Sequence, residues 1–210
     1  PGADGASFAR EGAILPAIVD ELHAERVAAQ ERGDAALARA IKITMNSFYG
    51  VLGTPGCRFA DTRLASSFTR RGHEVLDRAR AFFEARGLPV LYGDTDSLFV
   101  HASALEGDLR ARGLALAAEV NRSFAEQLDR ELGISSFLEL RLDAVYERFL
   151  MPTMRGSDRG SKKRYAGAVR ASDGSLRVVL RGLEAVRSDW TPLARETQRE
   201  LLRRVFADEP

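Results

Sequence analysis

The sequence predicts an α+β fold: a helical hairpin and a third helix, followed by an antiparallel sheet backed by helices. Three observations carry this. Apolar residues recur at helical spacing through residues 13–86 with only short breaks. From residue 88 onward, short runs rich in Val, Leu and Phe are punctuated by "GDTD" and "ASDG". Within that second part, only 106–132 and 191–206 return to a helical pattern.

The elements follow in order. In "AILPAIVDELHAERVAAQER" (13–32), apolar residues fall at 14, 15, 18, 19 and 22, and Pro16 suits a first helical turn. Gly33 breaks this helix, and Asp34 caps a second, "AALARAIKITMNSFYG" (35–50), which is expected to end at Gly50. The short link makes the two an antiparallel helical hairpin. "GTPGC" (53–57) is loop, and 62–86 is a third helix stopped by Gly87 and Pro89. "LPVLYG" and "SLFVHA" are strands joined by "DTD". Residues 106–132 form a helix, and 137–153 one or two strands. "KRYAGAVR" and "SLRVVLRG" flank "ASDG" as a hairpin with a type I turn or bulge, and 191–206 is an amphipathic helix with Pro192 in its first turn.

Composition narrows the function. No apolar run approaches the roughly 20 residues that cross a bilayer, so no membrane partner is expected. Cys57 is the single cysteine, which excludes an internal disulfide and leads us to expect a reducing, cytoplasmic setting. Net charge is +1, but residues 151–190 hold nine basic and four acidic residues. That excess suits either a polyanion contact or a solvated basic face. Of 31 basic residues only Lys42, Lys162 and Lys163 are lysines. Lysine is a compact point charge, and all three fall in the motifs below.

In "LYGDTDSLFV" (91–100), Asp94 and Asp96 fall on one side of the chain if the hairpin tip stays nearly extended. Two converging carboxylates there suit Mg²⁺, which takes one or two carboxylates plus water and substrate phosphates. The alternative is a turn whose Asp side chains bond local amides. On the second helix, Lys42, Asn46 and Tyr49 stand at i, i+4 and i+7, beside Ser47 and Gly50. An ammonium, an amide and a ring in that order suit a nucleoside triphosphate, and mixed polar helix faces also occur without a ligand. In "GSKKRYAG" (160–167), strand alternation places Lys163 and Tyr165 on one side for DNA, and Lys162 and Arg164 on the other in salt bridges.

The three sites together resemble family B DNA polymerases. "KITMNSFYG" resembles that family's K-x-x-x-N-S-x-Y-G motif, "YGDTDS" its best-known catalytic motif, and "KKRY" a motif that contacts the primer strand. They occur in the family's order, and the likeness runs across nearly all of the chain. The resemblance implies a DNA-templated DNA polymerase of DNA replication and repair, acting on primer–template DNA and dNTP with two Mg²⁺ ions. It implies Asp96 and Asp94 as catalytic metal ligands, Asp96 the firmer. Lys42 and Arg26 would bind the triphosphate, Asn46, Tyr49 and Ser47 would line the nucleotide site, Gly50 would let the base pair approach, and the "KKRY" residues would meet DNA. A sliding clamp would be reached through regions outside this chain, and the expected location is the nucleoid.

Three departures qualify this. Gln30 stands where the family usually has a second fingers cation four residues after Arg26, which predicts a raised KM. Arg181 stands where relatives often carry Lys. The family's D-x-x-S-L-Y-P-type motif, with its further catalytic aspartate, and the exonuclease are not in this text. The expectation is therefore a fingers-plus-palm piece, inactive alone: 1–61 fingers and exit loop, 62–190 palm, 191–210 start of the thumb. The alternative is a truncated derivative that only binds DNA or a partner. A haloacid-dehalogenase-type metal site would need Thr or Val at 98, which is Leu.

Overall fold

The computed structural model describes residues 7–9, 11–153, 156, 161, 163–171 and 173–209. The chain divides into two compact units, Pro1–Ala81 and Phe82–Pro210.

The first unit holds the predicted helical hairpin. α1 spans Ile14–Glu31 and α2 spans Ala35–Gly53. Gly33 takes a φ of 74° between them, a left-handed conformation that glycine adopts without a Cβ clash. The Asp34 carboxylate then caps α2 by accepting from the Leu37 N–H at 3.0 Å. α2 runs a turn past Gly50, the expected end. Gly50 stays helical, and the stop comes at Thr54, which is extended because Pro55 follows it. Buried Ala29, Ala38 and Ile41 lie where the two helices pack. α3 spans Thr62–Glu84 and passes from this unit into the next.

In the second unit the expected sheet forms as two small antiparallel sheets. β1 (Val90–Asp94) pairs with β2 (Ser97–Val100). β3 (Arg148–Leu150), β4 (Tyr165–Arg170) and β5 (Leu176–Arg181) make a three-stranded sheet with β4 in the centre. Side chains join the two sheets. The ring of Phe99 on β2 lies 5.0 Å from that of Tyr165 on β4 and 5.1 Å from that of Phe149 on β3, with Tyr146 packed against all three. Gly167 is where β4 lets Tyr146 in, because a Cβ there would overlap the Tyr146 ring.

α4 (Leu109–Leu132) is capped by Asp108 and ended by Gly133 at a φ of 61°. The strands expected across 137–153 reduce to β3. Residues 134–146 carry no ladder, and at Leu140 both backbone groups bond a side chain instead. The Asn121 amide donates to the Leu140 carbonyl at 2.9 Å and accepts its N–H at 2.7 Å. α5 (Pro192–Ala207) is capped by Thr191. Its Leu202 and Phe206, one turn apart, bury against Ala166, Ala168 and Leu183, with Val178 and Leu180 alongside. Among the described residues, no helix is long and apolar enough to cross a membrane.

Candidate active site

The first unit presents a cationic face. Lys42, Asn46 and Tyr49 are all exposed along α2, as their spacing requires. The Tyr49 hydroxyl lies 2.5 Å from Thr69 Oγ1. Thr69 Oγ1 itself donates to the Ala65 carbonyl, so Tyr49 is the donor, and the bond ties its ring to α3. Ser47 Oγ donates to the Thr44 carbonyl at 2.7 Å, which spends its proton on its own helix. A Cβ at Gly50 would meet nothing, so the backbone there is open to a ligand.

Between α1 and α2 lies a groove of about 350 Å³. Arg26 and Gln30 line it from α1, Arg39 and Lys42 from α2, and the small residues Gly33, Ala35 and Ala38 leave the space. The structure thus brings Arg26 and Lys42 to one cavity, with Gln30 beside them. The sequence reading missed Arg39. Its signal was available, since it stands three residues before Lys42 and shares that helix face.

In the second unit, Asp94 is the last residue of β1 and pairs with Ser97. Thr95 and Asp96 form a two-residue turn, in which the Asp96 N–H donates to the Asp94 carbonyl at 2.6 Å. The tip is therefore not extended, and strand alternation does not place the two carboxylates. They stand instead on either side of Thr95, whose φ of 54° is a costly conformation for a β-branched residue. Asp94 is partly buried and Asp96 exposed.

The "KKRY" segment meets this hairpin. Lys163 Nζ lies 3.5 Å from Asp94 Oδ2, and the Lys163 N–H donates to Tyr92 Oη at 2.9 Å. Strand alternation, predicted from residue 162, begins only at Tyr165. Lys163 lies in a turn at a φ of 63°, with its side chain largely exposed. Gly182, just after β5, fits against this turn, because a Cβ there would overlap the Lys163 carbonyl. Tyr165 faces the aromatic cluster and is partly buried in it. Arg164 pairs with Glu184, the salt bridge expected of it. The hydrogen bond from Gln198, and then Arg164, hold the Glu184 carboxyl below the usual carboxylate range. Lys162 lies outside the described residues. Burial, then the neighbouring Tyr165, pushes the Tyr146 hydroxyl up to about 12. Tyr92 is a positioning residue that the sequence reading did not single out.

Asp96 makes no side-chain hydrogen bond or ion pair among the described residues. No cluster of three or more His, Cys, Asp or Glu able to hold a metal occurs among them either. The acidic donors at the tip are thus Asp94 and Asp96, with one cation beside them. Such a set fits Mg²⁺, which is content with one or two carboxylates when water and phosphate complete its octahedron.

The chain is similar to known proteins over nearly its whole length. Residues 13–210 match the model of DNA polymerase family B. The chain is 49% identical over 205 residues to DNA polymerase II of Escherichia coli (strain K12), covering 97% of this chain and 26% of that protein. It is 36% identical over 163 residues to the DNA polymerase alpha catalytic subunit of Oryza sativa subsp. japonica, covering 75% and 9%. It is 34% identical over 169 residues to DNA polymerase 1 of Pyrococcus abyssi (strain GE5 / Orsay), covering 80% and 19%. The chain thus spans about a quarter or less of the length of these relatives.

Proposed function

The chain belongs to DNA polymerase family B, and from that premise we propose that it supplies the fingers and palm of a DNA-templated DNA polymerase. The reaction joins a primer 3′-oxygen to the α-phosphorus of a dNTP and breaks the bond from that phosphorus to pyrophosphate. Asp96 and Asp94 would hold Mg²⁺. When bound, the metal supplies Lewis-acid charge at the 3′-hydroxyl and the leaving pyrophosphate. Lys42 and Arg26 bind the triphosphate from the groove, and Lys42 gives a proton to departing pyrophosphate. Asn46 and Tyr49 line the nascent base pair, with Ser47 behind them and the Gly50 backbone open to it. Lys163 meets the primer strand and, until metal and DNA arrive, neutralises Asp94. Tyr165, in the aromatic cluster, supports the turn that carries Lys163, and Arg164 anchors it through Glu184.

One observation supports this reading above the rest. The second and third motifs, separated by 71 residues at Tyr92 and Lys163, meet through a hydrogen bond and an ion pair at the acidic tip.

Two carboxylates from one hairpin do not complete a two-metal site, so the 210 residues alone should give no measurable primer extension. The test is Asp96→Asn in a full-length family B polymerase carrying this segment. Incorporation should be abolished while primer–template affinity stays within about twofold, since the variant removes a metal ligand and no phosphate contact. A collapse of DNA binding would make the pair structural.

A further inference from the structure

We propose that Arg39 is a third triphosphate-binding cation, standing in for the one that is missing at Gln30. This deepens the reading above and rests on it. The groove between α1 and α2 gathers Arg26, Arg39 and Lys42, and no carboxylate lines it. Among the described residues, none of the three makes an ion pair or a side-chain hydrogen bond. Asp34, between Gly33 and Ala35 of the lining, spends its carboxylate on the cap of α2.

Elsewhere the chain pairs its arginines freely. Arg63, Arg141, Arg148, Arg170, Arg187 and Arg203 each hold a carboxylate. Three cations left without one around a single cavity form a site of concentrated positive potential, which an anion would relieve. The volume admits a chain of phosphates. Arginine adds what Lys42 cannot: a planar fork that takes two phosphate oxygens at once. α1 offers one cation and one amide, Arg26 and Gln30, a turn apart; α2 offers two cations, Arg39 and Lys42, a turn apart. The count that Gln30 lowers on one helix is restored on the other, so the raised KM expected from Gln30 alone is offset.

The test is calorimetric titration of the chain with inorganic tripolyphosphate at low salt, with far-UV circular dichroism to verify helix content. Arg39→Ala should weaken binding about tenfold and flatten its salt dependence. Arg39→Lys should lose only a few-fold. Adding Gln30→Lys to Arg39→Ala should recover most of the affinity. If Lys42→Ala weakens binding but Arg39→Ala does not, the assignment of Arg39 is overturned and the groove still stands as the triphosphate site. If the unaltered chain does not bind tripolyphosphate, the groove reading fails together with Arg39.

Discussion

The molecule carries its charged chemistry on two hairpins, one helical and one of β-strands, and they are held in opposite ways. On the α1–α2 hairpin, Arg26, Arg39 and Lys42 are placed by helical spacing alone and have no charged partner among the described residues. At the β1–β2 tip, Asp94 is held in the ladder opposite Ser97 and also meets a residue far along the chain: Lys163 lies at its carboxylate, in a turn fixed by Tyr92 of the same hairpin and by Gly182. The difference teaches that the cationic face needs only the two helices of one hairpin, whereas the acidic tip gains its counter-charge only once the turn that carries Lys163 has folded against it.

The largest stability effect that sharpens this contrast is at Gly182. An alanine there meets the Lys163 carbonyl and is also forced to a left-handed φ of 59°. Overpacking and the backbone together should cost about 3 kcal/mol or more, read by denaturant unfolding of the chain. A loss below about 0.5 kcal/mol, the range of an ordinary surface change, would mean that the turn carrying Lys163 does not rest on β5.

Lys42→Ala should behave in the opposite way. Exposed on α2 and unpaired, it should leave stability unchanged. In a full-length polymerase carrying the segment it should lower kcat/KM on the order of 10²-fold, as loss of a transition-state electrostatic contact does. Unchanged kinetics would remove Lys42 from the reaction.

A smaller effect lies in the aromatic cluster. The folded state holds the Tyr146 hydroxyl near pH 12 against an ordinary value of 10.0. Folding therefore disfavours the phenolate, so Tyr146 adds its full contribution below pH 10 and loses it as pH rises toward 12. Thermal unfolding followed from pH 9 to 12 should show a fall in stability that is shallower in Tyr146→Phe. Parallel curves would mean that the ring is not buried in the cluster.

The same contrast explains what could be read from the sequence. The helical hairpin, α3, α4, α5 and the two β-hairpins all follow from periodicity and turn residues, Lys42 with Asn46 and Tyr49 follows from helix geometry, and Arg26 follows from the family resemblance alone. What escaped depends on contacts between distant residues. The Asn121 amide takes both backbone groups of Leu140, in the middle of a segment without a ladder, which a local β-pattern does not reveal. Thr95 enters a left-handed turn and ends the extended tip that would have aligned Asp94 with Asp96. Lys163 leaves the strand for a turn because Tyr92 and Gly182 hold it there. Arg39 is legible from simple spacing, three residues before Lys42 on the same helix face.

The central claim is that Asp94 and Asp96 form a divalent-ion site with Lys163 as its resting counter-charge. Mn²⁺ binding by the chain, followed by electron paramagnetic resonance as the free-ion signal disappears, tests it most directly. The unaltered chain should take up Mn²⁺, Asp94→Asn and Asp96→Asn should each weaken uptake about tenfold or more, and Lys163→Ala should strengthen it. Equal uptake by the unaltered chain and Asp96→Asn would contradict the account.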